Sequence, residues 1–198
     1  MATSAEKVAL TKRTKAGHLD RATWDRIVSA TGAVVAAVLI ALGSVAIFGG
    51  MFGQDNVRDR LEPQKITFPP AEAMTPAETA EVGDFAGAYV DTGTEAEAFS
   101  RYIGLHLEEV NEGATYSETS SAARAEGISD DEAAELSGKA DTLFKGEALR
   151  GTLLNAYGWW TVSTIALFTG IGLVAAGLLL AVFAFLGFRH SKKASPDA

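Results

Sequence analysis

Two long runs without a single ionisable side chain constrain this sequence most. The first extends from Ile27 to Gln54, and its 28 residues would reach about 42 Å as a helix with a rise of roughly 1.5 Å per residue. The hydrocarbon core of a bilayer is only about 30 Å thick. The second run extends from Gly151 to Phe188, and we expect its membrane-embedded part to begin near Trp159. Each run predicts a transmembrane helix.

The residues that flank these runs are typical of membrane interfaces. Tryptophan is enriched at the headgroup level, and arginine marks the ends of spans. The sequence therefore predicts five membrane-interface residues: Trp24, Arg26, Trp159, Trp160 and Arg189.

Charge is distributed in blocks along the chain. Residues 1–26 contain six Lys/Arg and three acids, and residues 189–198 contain three Lys/Arg and one acid. Residues 55–150 contain eight Lys/Arg and 21 acids. Because short cytoplasmic flanks are rich in Lys and Arg, we expect both termini in the cytoplasm and the acidic region outside the plasma membrane.

The predicted fold class is therefore an all-α membrane protein with two transmembrane helices flanking a mostly helical extracytoplasmic loop. Its expected parts are a basic tail (1–26), the first span (27–52), the acidic region (53–157), the second span (158–188) and a second tail (189–198). A cleaved signal peptide is the alternative interpretation of the first run. That run is nearly twice the 7–15 residues of a signal h-region, and no small-x-small site precedes a polar start.

Helix signals are also present in the acidic region. We expect the first helix to continue to Leu61 and to break at Glu62–Pro63, with an extended piece at 65–68. Residues 71–92 are expected to be loop with one turn of helix after Thr75–Pro76. Thr94 with Glu97 and Ser129 with Glu132 form capping boxes that predict two helices. The first carries Phe99, Tyr102, Ile103, His106 and Val110 on one face and ends before Gly113, and the second continues into the second span.

The predicted spans hold no Asp, Glu, Lys, Arg or His, the usual markers of ion or proton pathways, so transport is disfavoured. Instead, small residues recur at a spacing of four, which lets helices approach closely. Their possible meanings are packing of the spans on each other, packing on a partner, or composition alone. The predicted helix-packing residues are Ser29, Ala33, Ala37, Ala41, Gly172, Ala176, Gly177 and Ala181.

Several short motifs resemble those of a family of small actinobacterial two-span membrane proteins. They are RLEPQKITF from Arg60 to Phe68, TYSE from Thr115 and ALRGTL from Ala148 to Leu153. The resemblance covers roughly Ala30 to Phe188. It implies the two-span architecture, and some members carry the automatic name of aromatic ring-opening dioxygenase.

The chemistry of such a dioxygenase requires an iron shell of the type two His and one carboxylate. Of the three histidines, His18 and His190 fall in the predicted cytoplasmic tails, and only His106 is expected outside. Cysteine is absent, so thiolate sites are excluded. The acidic groups Glu108, Glu109 with Glu112 and Asp130–Glu135 lack the alternating ligands and central Gly of a calcium loop. We expect no catalytic residue, no metal site and no cofactor.

Two functional interpretations from different classes remain. The first is a non-enzymatic accessory or scaffold subunit of a larger plasma-membrane assembly, whose partners are the lipid bilayer and other membrane subunits or a second copy. The low content of large apolar residues in the acidic region, which allows only a thin core, favours this interpretation. The alternative is an enzyme or ligand sensor with a site around His106, Tyr102 and Tyr116. Nucleic-acid binding is disfavoured because the acidic region repels phosphate.

Overall fold

A computed structural model describes residues 21–193 of the chain, and this part is almost entirely α-helical, with no strand among those residues. Its five α-helices are α1 (Arg21–Leu61), α2 (Pro76–Val82), α3 (Gly93–Asn111), α4 (Tyr116–Ala122) and α5 (Asp130–Lys193). Short 3-10 turns occupy Glu62–Gln64, Ala71–Ala73 and Gly83–Phe85. The all-α expectation is thereby confirmed for this part of the chain.

Two compact units divide the described chain. The terminal unit contains the described residues up to Ile47 together with those from Phe168, and the central unit contains Phe48–Leu167. The terminal unit therefore consists of a segment of α1 and a segment of α5, whereas the central unit holds α2, α3 and α4 with the remaining parts of the long helices.

In the terminal unit, the two helix segments are antiparallel and touch along small residues. Gly43 and Gly170 face each other so closely that a Cβ on Gly43 would lie 2.7 Å from the Gly170 carbonyl oxygen, and one on Gly170 would lie 2.6 Å from that of Gly43. Further along, a Cβ on Gly177 would lie 3.0 Å from the Ala36 carbonyl oxygen. Backbone therefore packs directly on backbone.

These contact residues recur every seven positions. In α1 the buried residues at this spacing are Ser29, Ala36 and Gly43, and in the α5 segment they are Gly170, Gly177, Ala184 and Ser191. The spacing recurs in the central unit, where Gly50 and Val57 are buried in α1 and Ser163 in α5. We call this set of residues the heptad seam.

The seam differs from the predicted ridge of every fourth residue. Ser29 and Gly177 lie in it, and Ala33 and Ala181 are half-buried beside it, but Ala37, Ala41 and Ala176 are exposed and a Cβ on Gly172 would meet nothing within 4 Å. The physical reason is helical drift. Four residues overshoot one turn by about 40°, so a long ridge of that spacing rotates out of contact, whereas seven residues fall only about 20° short of two turns.

Within the uncharged runs, the surface of the long helices outside the seam is largely apolar. In α1, Val34, Val45 and Phe48 are each more than three-fifths exposed, and in α5 the same holds for Phe168, Leu179 and Phe183. Only 17% of the most apolar window of α1 and 11% of that of α5 is buried within the protein. Both helices are long and apolar enough to cross a membrane, as the sequence predicts.

The central unit is organised around Phe68, which is 2% exposed. Its ring stacks on Phe85 and meets Phe99 edge-on, with centroid distances of 5.5 and 5.0 Å. The long helices contribute to the same core through Val57, Leu61 and Leu153.

The segments that connect α1, α2 and α3 contain little regular structure, and backbone hydrogen bonds hold them in place. The N–H of Phe68 donates to the Ala88 carbonyl, and that of Val90 donates to the Ile66 carbonyl, both at 2.9 Å. The predicted extended piece at 65–68 is present in part: Thr67 forms an isolated antiparallel bridge with Tyr89, whereas Lys65 adopts left-handed backbone with a φ of 52°.

Helix α3 packs against α5 through residues that are mostly small. Gly93 lies against the Trp160 side chain, a Cβ on Gly104 would lie 3.2 Å from the Arg150 guanidinium, and Leu107 packs where Gly146 leaves room. The Arg150 Nε also donates to the Ser100 carbonyl at 3.1 Å. The predicted aromatic face of α3 is present as well, because Phe99, Tyr102 and Ile103 pack on the core, although Val110 is 46% exposed.

Capping residues set the helix starts, and one prediction of them is wrong. Helix α3 begins at Gly93 with Thr92 as its cap, whose N–H donates to Glu95 at 2.8 Å, so the predicted Thr94–Glu97 box falls inside the helix. The same T-x-x-E pattern occurs twice, two residues apart, and only the first lies where the chain turns. Ser129 caps α5 as predicted, accepting from the Glu132 N–H at 3.2 Å.

Two short helices arise from capping boxes, one where the sequence predicts only a single turn and one where it predicts no helix. Thr75 with Glu78 begins α2, and Thr115 with Glu118 begins α4. The predicted loop over 71–92 thus contains two turns of helix, ordered by their cap and by the buried Val82.

We predict that Leu at Gly43 separates the two segments of the terminal unit, because a side chain there collides with backbone that cannot move aside. The expected loss in the free energy of unfolding is on the order of 1–3 kcal/mol, measured by denaturing-detergent titration of the purified protein with circular dichroism. Gly172→Leu is the matched control, since its added side chain meets open space. Equal unfolding midpoints for the two variants and the wild type would show that the seam is not a close contact.

Candidate functional site

A concave groove lies in the central unit between α1 and α5. Its volume is about 870 Å³, within the range of roughly 300–1,000 Å³ typical of ligand pockets. We call it the interhelical groove. One face of α1 and the 3-10 turn that follows it form one wall, with residues spaced by three or four positions: Gly49, Gly53, Asn56, Arg60 and Gln64.

The opposite wall comes from α5. Thr152, Trp159 and Ala166 belong to this wall. Ser163 sits where the two helices come closest, since a Cβ on Gly50 would lie 2.6 Å from its carbonyl oxygen, and its hydroxyl lies against Gly53. The Gln54 amide adds a link across the helices by donating to the Thr164 hydroxyl at 3.0 Å.

Polarity changes along the groove. Phe52, Val162 and Ala166 line one end, and the other, polar end is lined by Asn56, Arg60 and Gln64 together with the apolar Leu61, Ile66 and Leu149. Arg60 is the single ionisable residue among those that line it, and its Nε donates to the Asn56 side-chain oxygen at 3.0 Å. This i, i+4 hydrogen bond holds the guanidinium at the polar end.

A second polar cluster lies where α2 meets α3. Glu78 is 6% exposed, and its carboxylate accepts from the Thr75 N–H at 2.6 Å and lies 3.3 Å from the His106 Nδ1. The Thr75 hydrogen bonds, followed by the nearby His106, lower the pKa of Glu78. The Tyr102 ring lies 4.6 Å from the His106 ring, and burial together with the Glu78 charge raises the pKa of Tyr102.

This cluster joins two of the residues predicted for a ligand-sensing site, Tyr102 and His106, but not the third. Tyr116 instead pairs with Phe144, at a ring centroid distance of 5.8 Å. His106 is about half exposed and contacts one carboxylate. Among residues 21–193 no three His, Asp or Glu side chains are grouped so that they could hold a metal ion, and His18 lies outside the described residues.

The predicted interface residues have different surroundings. Trp24 and Trp159 are more than half exposed, and Arg26 and Arg189 are also exposed. Trp160 is half-buried against Gly93, and the Arg58 guanidinium lies 6.0 Å from its ring centroid. Trp160 therefore packs inside the central unit, whereas Trp159 is largely exposed and lines the open groove.

Sequence reasoning missed the groove, although the stripe from Gly49 to Gln64 is visible as a run of small and polar residues at helical spacing. Comparison of the chain with protein-family models, with curated proteins and with solved structures found no match.

We predict that Glu78 makes the stability of the central unit depend on pH. A carboxyl whose pKa is lowered on folding stabilises the folded state above its unfolded pKa, and that contribution is lost as the pH falls through the lowered value. In urea titrations monitored by tryptophan fluorescence, the wild type should lose more stability between pH 6 and the acid range below about pH 4 than Glu78→Gln does. Glu72→Gln removes an equal charge from the preceding 3-10 turn, and it should behave as the wild type. Parallel pH profiles for the wild type and Glu78→Gln would contradict this role.

Proposed function

We propose that this chain is a non-enzymatic integral protein of the plasma membrane, an accessory or scaffold subunit that crosses the bilayer twice with both termini in the cytoplasm. The observation that carries the proposal is the apolar surface of the two long helices, of which less than a fifth is buried in each apolar window. Monomeric soluble proteins rarely expose contiguous apolar patches larger than a few hundred Å². Lipid is the environment that such a surface fits.

The orientation is supported by the charge pattern. In the terminal unit, Ser29 lies against Gly187, so Arg26 and Arg189 sit at the same end of the helix pair. Lys and Arg concentrate on the cytoplasmic side of spans, and this end bears them on both helices. The acidic region between the two uncharged runs then belongs outside.

An accessory role is supported by an apolar patch on the acidic region. Tyr116 and Phe144 form an aromatic pair that is about half exposed, beside a shallow hollow of about 300 Å³ that also involves Arg124 and Asp141. Aromatic residues are enriched at protein interfaces, and charged residues border them. A neighbouring subunit of a larger membrane assembly would cover this aromatic patch.

The assembly is tested by blue-native electrophoresis of membranes solubilised in a mild detergent. The wild type should migrate within a complex larger than its own 20.7 kDa plus micelle, and Phe144→Ser should shift to the smaller size because the apolar contact is lost. Lys145→Ser, at the adjacent and more exposed position, is the matched control and should stay in the complex. If the wild type is abundant in the membrane but migrates at the size of a single chain plus micelle, the accessory role is ruled out.

A ligand-binding role has one separate observation in its favour. The interhelical groove combines an apolar end with the cationic side chain of Arg60. This combination suits a ligand that has both an apolar part and an anionic group.

A further inference from the structure

The interhelical groove lies across the point where the sequence changes from uncharged to charged. Phe52 belongs to the uncharged run 27–54 and Val162 to the run 151–188, whereas Arg60 lies beyond the first run. If the long helices span a bilayer, as proposed above, the apolar end of the groove lies at the depth of acyl chains and Arg60 lies at the level of headgroups.

Arg60 differs from neighbouring arginines in its contacts. Arg58 lies 3.9 Å from Asp91, Arg101 pairs with Glu81 at 2.7 Å, and Arg150 pairs with Glu147 at 2.6 Å. Arg60 contacts a neutral amide through Nε only, and residues 21–193 supply no carboxylate partner to it. Its two terminal nitrogens make no hydrogen bond within residues 21–193, and Arg60 lines the groove.

We propose that the groove binds an anionic phospholipid of the outer leaflet, with an acyl chain along Phe52, Val162 and Ala166 and the phosphate on Arg60. A guanidinium binds phosphate through two parallel N–H···O bonds, and its fork is presented at the polar end by Asn56. The chain is acidic over residues 55–150, so an isolated arginine here gives a local preference for an anion without attracting one to the rest of the surface.

A second copy of this chain is the competing occupant. It would have to place a carboxylate on Arg60 and an apolar side chain beside Phe52, Val162 and Ala166, whereas one amphipathic lipid supplies both groups in a single molecule. This inference rests on the membrane placement of the proposed function, and the experiment reports the two separately.

The purified full-length protein is incorporated into vesicles that contain equal amounts of phosphatidylglycerol and phosphatidylcholine, then re-extracted in mild detergent and measured by native mass spectrometry. We expect the wild type to retain one phosphatidylglycerol. Loss of a charge-assisted contact should reduce the occupied fraction in Arg60→Gln about tenfold. The matched control is Arg58→Gln, which removes the same charge two residues away on α1 but outside the groove, and it should retain the lipid.

Gly49→Leu tests the groove without altering charge. Gly49 lines the groove, and a Cβ there would meet nothing within 4 Å, so a leucine at this position narrows the groove while its Cβ has room. This variant should keep the unfolding midpoint of the wild type and lose the lipid. Equal retention of phosphatidylcholine and phosphatidylglycerol, unchanged retention in Arg60→Gln, or a dimer in place of a lipid adduct would each overturn the proposal.

A phosphatase that is active only outside the cytoplasm, fused after Gly113, reports the placement independently. Phosphatase activity without a lipid adduct would support the proposed membrane topology and overturn the lipid site. A lipid adduct without phosphatase activity would support an amphiphile-binding groove and overturn the proposed orientation.

Discussion

The close approach of the two long helices at the heptad seam is the contact on which the remaining architecture depends. At Gly43 and Gly170 each backbone occupies the space that a side chain would take. In a bilayer no hydrophobic effect draws two helices together, so close packing and weak Cα–H···O contacts provide the attraction. A seven-residue period keeps such contacts on one side of each helix over many turns, and the bulky side chains are left to face outward.

The central unit depends on the same two helices in a different way. Its own segments supply few large apolar residues, and α3 meets α5 through Gly93, Gly104 and Leu107. Val57, Leu61 and Leu153 from the long helices complete the core around Phe68. The long helices are therefore both the proposed membrane spans and the scaffold of the folded acidic region. The groove lies between them, so any bound amphiphile would contact that scaffold directly.

Strong local signals in the sequence predicted much of the fold. The uncharged runs predicted both long helices, Pro63 ended α1 after Leu61, and Ser129 began α5. The packing face was misjudged because small residues at a spacing of four are abundant in an Ala-rich and Gly-rich chain, and only the contact between helices selects the period of seven.

The candidate site was less predictable for a related reason. In the sequence, Asn56 and Arg60 look like ordinary solvated residues of a helix. They are recognisable as part of a groove only once the structure shows Thr152 and Trp159 on the opposite wall. The Glu78–His106 contact depends likewise on the placement of α2, whose cap at Thr75 was visible but whose length was underestimated.

A disulfide across the seam tests the central claim most directly. The chain contains no cysteine, and a Cβ on Gly32 lies 3.6 Å from that of Ala184, within the range of about 3.5–4.5 Å that a disulfide requires. A protease site inserted after Gly127 allows the two halves to be separated. With Gly32→Cys and Ala184→Cys, mild oxidation in native membranes should keep the cleaved halves together on a non-reducing gel, whereas pairing Gly32→Cys with the outward-facing Val182→Cys should not. Halves that separate in both cases would contradict the seam.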